Sequence, residues 1–266
     1  MKTHDDDVWF VILTYFPDKK KLTPLLHALD GKKIVLVDNT PGNEGMLVRA
    51  DVRGLHLIQM KNNTGYARGM NTGMAYVFEH GGTWAVLCND DIEISKIKSG
   101  ELEEALGHTP AGVAGPFPGS LDAKRWTSVY PVKPTAGFSY ISGSCMAVHR
   151  SVYERLGGFY ERYFMYYEDV DFCVRVRRMG FSLTTLSITP KHTDGSSFQG
   201  SHGRRQYYLA RNHLLFVERL APFRVKVYEY LRLPLTWIEH VWKGEFWACV
   251  GVVDYLVRRF DRKWAR

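Results

Sequence analysis

Trp84-Ala85-Val86-Leu87-Cys88-Asn89-Asp90-Asp91 is an apolar run that stops abruptly at polar and acidic residues. A short continuous run of this kind reads as a strand over Trp84 to Leu87, buried on both faces and followed by a loop. The same form appears upstream, where Ile34-Val35-Leu36-Val37 is stopped by Asp38-Asn39-Thr40-Pro41-Gly42. Val8 to Leu13 and Leu55 to Met60 supply two further strands. Between them, Thr23-Pro24 predicts a helix with proline at its first position, ended by Gly31, and residues 67–80 predict a second helix ending at Gly81-Gly82. Apolar strands alternating with helices imply an α/β fold, a mainly parallel Rossmann-like sheet covered by helices on both faces. Ligands of such sheets bind beyond the carboxyl ends of the strands. Asp38 and Asn89-Asp90-Asp91 stand at such ends.

The second half is less regular. Ser151-Val152-Tyr153-Glu154 has the form of a capping box, with the helix closed by Gly157-Gly158. A helix is expected from about Asp169 to Met179, and others over 205–219 and 223–260, with Pro222 and Pro234 as breaks. The 266 residues therefore divide into a body over 1–220 and a helical extension over 221–266. A content of 45% hydrophobic and 24% charged residues excludes a disordered chain. Cys88, Cys145, Cys173 and Cys249 are widely spaced, which argues against a disulfide framework or structural zinc and for a reducing, cytoplasmic compartment. The acidic start, Met1 to Asp7, is unlike a signal peptide, and no run of about 18 apolar residues occurs. The net charge of +7 resides in residues 201–266, which hold 13 Arg or Lys against 6 Asp or Glu. Four of the seven tryptophans lie there too.

Three polar segments carry the chemistry. Adjacent carboxylates in Asn89-Asp90-Asp91 repel unless a cation or a donor compensates, and a hard divalent cation suits them; a helix or turn cap is the structural reading. Glu168-Asp169-Val170-Asp171 places three acids at a helix start, where the dipole favours them and where one is placed to serve as a general base. Lys191-His192-Thr193-Asp194-Gly195-Ser196-Ser197 offers a loop histidine. The glycines of Asn63-Thr64-Gly65-Tyr66-Ala67-Arg68-Gly69-Met70-Asn71-Thr72-Gly73 permit close backbone approach. This segment is not GxGxxG and there is no GxxxxGK[ST], so dinucleotide and P-loop readings lose their usual support.

In order along residues 8–220, several segments resemble family 2 glycosyltransferases of the GT-A fold, particularly the bacterial rhamnosyltransferase-like branch. They are Val11-Ile12-Leu13-Thr14-Tyr15, Val37-Asp38-Asn39, the Asn63 to Gly73 segment, Asn89-Asp90-Asp91, Ser142 to Val148, Gly157-Gly158-Phe159, Glu168 to Asp171, His192 with Ser196-Ser197, and Tyr207 to Asn212. The resemblance implies that Asp38 bonds a nucleobase, with Thr14 and Tyr15 lining its pocket. It implies donor contacts from Asn63, Gly65, Asn71 and Arg211, and Asp90 on the ribose or metal. Asp91 and His192 would bind Mg²⁺ or Mn²⁺ against a diphosphate, although Asn89 replaces the first acid of the motif. Asp169 matches the general base, and Gly143, Ser144 and Glu168 would face the acceptor or sugar.

The implied reaction is an inverting, metal-dependent sugar transfer, best matched to rhamnose, in cell-surface polysaccharide synthesis. The donor would be a dTDP- or UDP-linked sugar and the acceptor a saccharide or lipid-linked saccharide. The basic, aromatic tail reads either as an interfacial helix on the inner face of the cell membrane or as a cap on the body or on a second subunit in a homodimer. Three alternatives compete. A nucleotidyltransferase acting on sugar phosphates would carry a glycine-rich first loop, which Tyr15-Phe16-Pro17-Asp18-Lys19-Lys20 is not. A nucleic-acid binder is disfavoured by the neutral charge of residues 1–200. An inactive glycosyltransferase-like protein is disfavoured by the retained acids.

Overall fold

The apolar runs form strands because Val, Ile and Leu in unbroken sequence bury both faces of a pleated chain. The computed structural model describes residues 7–42, 52–93, 100–133, 137–188, 191–192 and 202–261. Its elements run β1 (Val8–Thr14), α1 (Lys19–Ala28), β2 (Lys33–Asp38), β3 (Leu55–Gln59), α2 (Gly65–Glu79), β4 (Trp84–Asn89), β5 (Ile92–Glu93), α3 (Glu101–Gly107), β6 (Gly112–Gly115) and β7 (Pro118–Leu121). Then follow β8 (Ser128–Val129), β9 (Tyr140–Ile141), β10 (Cys145–His149), α4 (Arg150–Leu156), α5 (Glu168–Arg178), β11 (Ser182–Thr185), β12 (Lys191–His192), α6 (His202–Leu220), α7 (Phe223–Trp242) and α8 (Phe246–Leu256).

Seven strands form one sheet in the order β3-β2-β1-β4-β10-β6-β11. Only β10 runs against the others, so the sheet is mainly parallel, as expected. One buried cluster, with Val11, Val35, Met74 and Phe172, packs against α2 and α5. A second, with Ile12, Leu26, Leu36 and Leu106, packs against α1 and α3. The register pairs Thr14 with Asp38 and Leu13 with Asn89, which brings three strand ends to one edge. A short antiparallel pairing, β5 with β12, sets Ile92 opposite His192 beside that edge.

Several boundaries differ from the sequence reading. Helix α1 starts at Lys19, because the side chain of Asp18 accepts from the Lys20 amide at 2.9 Å, and Pro24 lies inside it. Burial of Leu22, Leu25 and Leu26 offsets the one backbone bond the proline removes. Helix α4 is capped by the His149 ring, which accepts from the Ser151 amide, and not by Ser151. Pro234 does not break α7; the break falls at Gly244, whose φ of +67° suits glycine. The extension packs on the body: Val252 and Tyr255 of α8 belong to the same buried cluster as Val11. Gly251 lets α8 close on α6, since a Cβ there would lie 2.4 Å from the Tyr207 carbonyl oxygen.

Candidate active site

A cavity of about 240 Å³ opens at the edge where the parallel strands end. One wall comes from the strand ends themselves, Thr14 at the end of β1 with Tyr15 after it, Asn39 after β2, and Asn89 at the end of β4 with Asp90 after it. Asn63, Gly65 and Tyr66 at the start of α2 form a second wall. The loop before β10, Ser142-Gly143-Ser144, forms a third. Phe164 to Tyr166 and the first turn of α5, Glu168 and Asp169, close the fourth.

Asp169 is the best-held acid of the cavity. Its Oδ2 accepts from the Gly143 amide at 2.9 Å and its Oδ1 from the Val170 amide at 2.8 Å. Burial pushes its carboxyl above the usual carboxylate range, against those two donors. The Gly143 carbonyl in turn accepts from the Tyr66 hydroxyl, so one residue ties the α2 wall to the acid. Glu168 differs. Burial, then the charge of Asp169, pushes its carboxyl well up, and its Oε2 finds no hydrogen-bond partner among the described residues. Of these two adjacent carboxyls, the one with donors ionises first, and the pair titrates as a unit.

The glycine segment is fixed by contacts from strand β2. The Asn39 amide group donates to the Gly65 carbonyl at 2.9 Å, while its Oδ1 accepts from the Thr64 hydroxyl at 2.9 Å. Gly65 itself sits at φ +83°, and a Cβ there would lie 2.5 Å from the Phe164 carbonyl oxygen. Only glycine fits both constraints.

The loop carrying the fourth wall is strained. Phe164, Tyr166 and Tyr167 all have positive φ, at 65°, 62° and 72°. Such residues persist only where the surroundings over-determine them. Here Asn212 of α6 donates to the carbonyls of Met165 at 2.7 Å and Tyr166 at 2.9 Å. Arg211 donates to the carbonyls of Tyr163 at 2.8 Å and Arg162 at 3.1 Å. The Tyr163 hydroxyl donates to Asp171 at 2.9 Å.

The structure thus gathers Thr14, Tyr15, Asn63, Gly65 and Asp90 with Gly143, Ser144, Glu168 and Asp169 around one cavity. Other expected residues lie elsewhere. Arg211, expected at the donor, is fully buried under the strained loop, with its guanidinium on protein groups. Asn71, also expected there, clasps the backbone of Phe159 and the side chain of Glu161. Asp38 is buried below the rim, where its Oδ1 accepts from the Thr14 hydroxyl and the Thr40 amide. Asp91 is buried next to Asp90 and outside the cavity lining. The backbone of His192 pairs beside it, while its side chain and Ser196-Ser197 lie outside the described residues. Among the described residues no three His, Cys, Asp or Glu side chains form a ready cage for a metal ion. Magnesium and manganese do not need one, since they bind through one or two carboxylates together with substrate phosphates. Asp90 supplies one such carboxylate on the cavity lining, and Asp91 lies next to it in the chain. Tyr66, Asn39 and Asn212 were not singled out from sequence; their residues fall within the quoted segments, but nothing local marks them.

No family model matches the chain. Curated relatives do. The low-salt glycan biosynthesis hexosyltransferase Agl10 of Haloferax volcanii is 28% identical over 239 residues, covering 79% of this chain and 75% of its own. The dTDP-rhamnosyl transferase RfbF of Shigella flexneri is 25% identical over 241 residues, covering 81% of each. The N-acetylglucosaminyl-diphospho-decaprenol L-rhamnosyltransferase of Mycobacterium tuberculosis is 28% identical over 259 residues, covering 76% of this chain and 84% of its own. Among solved structures, the mannosyltransferase PcManGT from Pyrobaculum calidifontis, in complex with GDP-Man and Mn²⁺, superposes with a TM-score of 0.56 at 17% identity. The match covers 97% of this chain and 76% of that one. GalNAc-T7, with UDP, GalNAc and Mn²⁺, matches at TM-score 0.51 and 12% identity over 85% of this chain and 54% of its own. The chain has the GT-A fold, and in sequence it is similar to glycosyltransferases, rhamnosyltransferases among them.

Proposed function

We propose that this cavity transfers a sugar, rhamnose by the curated relatives, from a nucleoside-diphosphate donor to a hydroxyl of a saccharide or lipid-linked acceptor, with inversion. The observation that carries the reading is Asp169. It is a half-buried carboxylate on the cavity wall, held by two amide donors and raised above the usual carboxylate range by desolvation, as suits a general base. Asp169 takes the acceptor hydroxyl's proton as its oxygen bonds to the anomeric carbon. The bond to the diphosphate breaks on the opposite face, and its electron pair leaves with the nucleoside diphosphate. This single displacement requires no protein nucleophile.

Thr14, Tyr15 and Asp38 are assigned to the nucleoside end, with Asn63 and Gly65 beside it, and Asp90 to the ribose or metal. Asp91 and His192 would hold Mg²⁺ or Mn²⁺. Their role would be to place a positive charge where negative charge develops on the leaving diphosphate. Gly143, Ser144 and Glu168 face the acceptor or the transferred sugar. Arg211 and Asn71, enclosed by protein contacts, are assigned to holding the walls.

The test is incubation of the purified chain with Mn²⁺, a panel of dTDP- and UDP-sugars and a polyprenyl-diphosphate saccharide, with products read by mass spectrometry and the new linkage by NMR. Rhamnosyl transfer from dTDP-rhamnose with inverted configuration is expected. Pyrophosphate release from a nucleoside triphosphate and a sugar phosphate, with no transfer, would assign the cavity to nucleotidyl transfer instead.

A further inference from the structure

Helix α7 carries an apolar face that nothing in the described structure covers. Phe223, Val227, Leu231, Leu235, Ile238 and Trp242 recur every three to four residues, so they lie on one side of the helix. Phe223, Leu231 and Trp242 are 82%, 78% and 88% exposed. Only Val225 and Glu229 of the twenty residues are buried. A soluble surface rarely exposes an unbroken apolar stripe of about 30 Å, the length of a twenty-residue helix. No helix among the described residues is long and apolar enough to cross a membrane.

The charges around this face choose its occupant. The two acids of α7 are in ion pairs, Glu229 with Arg125 at 2.7 Å and Glu239 with Arg232. Arg224 and Lys226 at one end and Lys243 at the other are in no ion pair among the described residues. Arg258 and Arg259 follow α8, and the last five residues add three more cations. A second copy docked by two-fold symmetry would set like charges together. Antiparallel α7 helices would place Arg224 and Lys226 against Lys243, and parallel ones would oppose each cation to itself. An anionic bilayer surface meets the same set with opposite charge, while the aromatic and aliphatic side chains enter the headgroup boundary.

We propose that α7 lies in the plane of an anionic membrane surface and docks the protein there. The helix is tied to the site. Arg125 grips both oxygens of Glu229 and its carbonyl contacts His213 of α6, and the nearby Ser128 amide donates to the Tyr167 hydroxyl at the start of the α5 wall. The bilayer is therefore held at a fixed position relative to the cavity, as a lipid-linked acceptor requires; that link, though not the docking itself, rests on the proposed transfer.

The test is co-sedimentation of the full chain with vesicles of phosphatidylcholine alone or mixed with phosphatidylglycerol, without any nucleotide-sugar, so that failure of the transfer reading leaves the result unaffected. The wild type is expected to pellet with the mixed vesicles, less so at high salt. Leu231→Glu combined with Trp242→Glu is expected to lower the partition coefficient about a hundredfold, with an unchanged melting midpoint. Arg224→Glu with Lys226→Glu and Lys243→Glu, which leaves the apolar face intact, is expected to abolish the preference for phosphatidylglycerol. Equal pelleting of wild type and the Leu231/Trp242 variant would overturn the proposal. So would a wild type that stays in the supernatant, or one that sediments as a dimer where that variant is monomeric and neither binds vesicles.

Discussion

Asp169 and Asp171 stand two residues apart on the first turn of α5, and the structure uses them in opposite ways. Asp169 lines the cavity, accepts from two backbone amides and carries a raised carboxyl. Asp171 is wholly buried and meets Arg175 at 2.7 Å, Arg219 at 3.0 Å and the Tyr163 hydroxyl at 2.9 Å. Two guanidinium groups commit the carboxylate of Asp171 to ion pairs, whereas Asp169 turns a carboxyl raised by desolvation toward the cavity. The same pattern of acids at a helix start thus contains one group suited to chemistry and one that ties three segments together, and the partners decide which is which.

The contrast breaks most sharply at Asp169. Asp169→Asn is expected to lower kcat for sugar transfer by about 10²- to 10⁴-fold, the usual contribution of a general base. Its melting midpoint should fall only modestly, since the amide oxygen keeps one of the two backbone donors while its NH2 faces the other. Steady-state kinetics and a thermal melt on one preparation check both halves; retained turnover would remove Asp169 from the role.

Asp171→Asn should give the inverse result. It leaves two partly buried guanidinium groups without their shared carboxylate, and breaking such a pair costs about 3 kcal/mol. Urea unfolding should show that loss, while the folded fraction at low temperature keeps the wild-type pH profile. A variant as stable as the wild type would mean that Asp171 is not the tie described.

The strained loop between these acids and the glycine segment provides a third comparison. Asn212→Ala removes the donors to Met165 and Tyr166 and leaves those carbonyls without their partner. The expected cost is about 2 kcal/mol of stability. Because Met165 and Tyr166 line the cavity, KM for the acceptor should rise as well. A stability loss with unaltered KM would separate the loop from acceptor binding.

Legibility in the sequence followed the range of the forces involved. The strands were readable because an unbroken apolar run is a local property, and their polar ends marked the sheet edge correctly at Asp38 and Asn89. The helix at Glu168 was readable from its acids and from Gly180. Pro24 and Pro234 misled, because a local breaker was outweighed by an earlier cap in one helix and by continued helical pairing in the other. Arg211 misled for a different reason. An arginine in an ordered motif suggests a phosphate ligand, and only the fold shows it beneath the Tyr163 loop with its donors on carbonyl groups. Tyr66 carries no local sign at all. Its link to the cavity runs through Gly143, 77 residues away. The pairing of β5 with β12, which sets His192 next to the Asp91 segment, is likewise a long-range fact.

The smallest expected effect lies within the cavity pair itself. Glu168 is held well above the ordinary carboxyl range, first by burial and then by Asp169, so it keeps a proton in the folded state that it releases when unfolded. A raised folded-state pKa means the unfolded chain loses that proton first. The cost to stability therefore grows as pH rises from about 4, the unfolded value, through the folded one. Glu168→Gln imitates the protonated form and removes that cost. The variant should match the wild type near pH 4 and exceed it at pH 8, read as a higher melting midpoint at pH 8 alone. Transfer should survive with the acid limb of its pH profile unmoved, because that limb belongs to Asp169, the member of the pair that ionises first. Loss of the acid limb in Glu168→Gln would reverse the order of the two acids and make Glu168 the ionised partner.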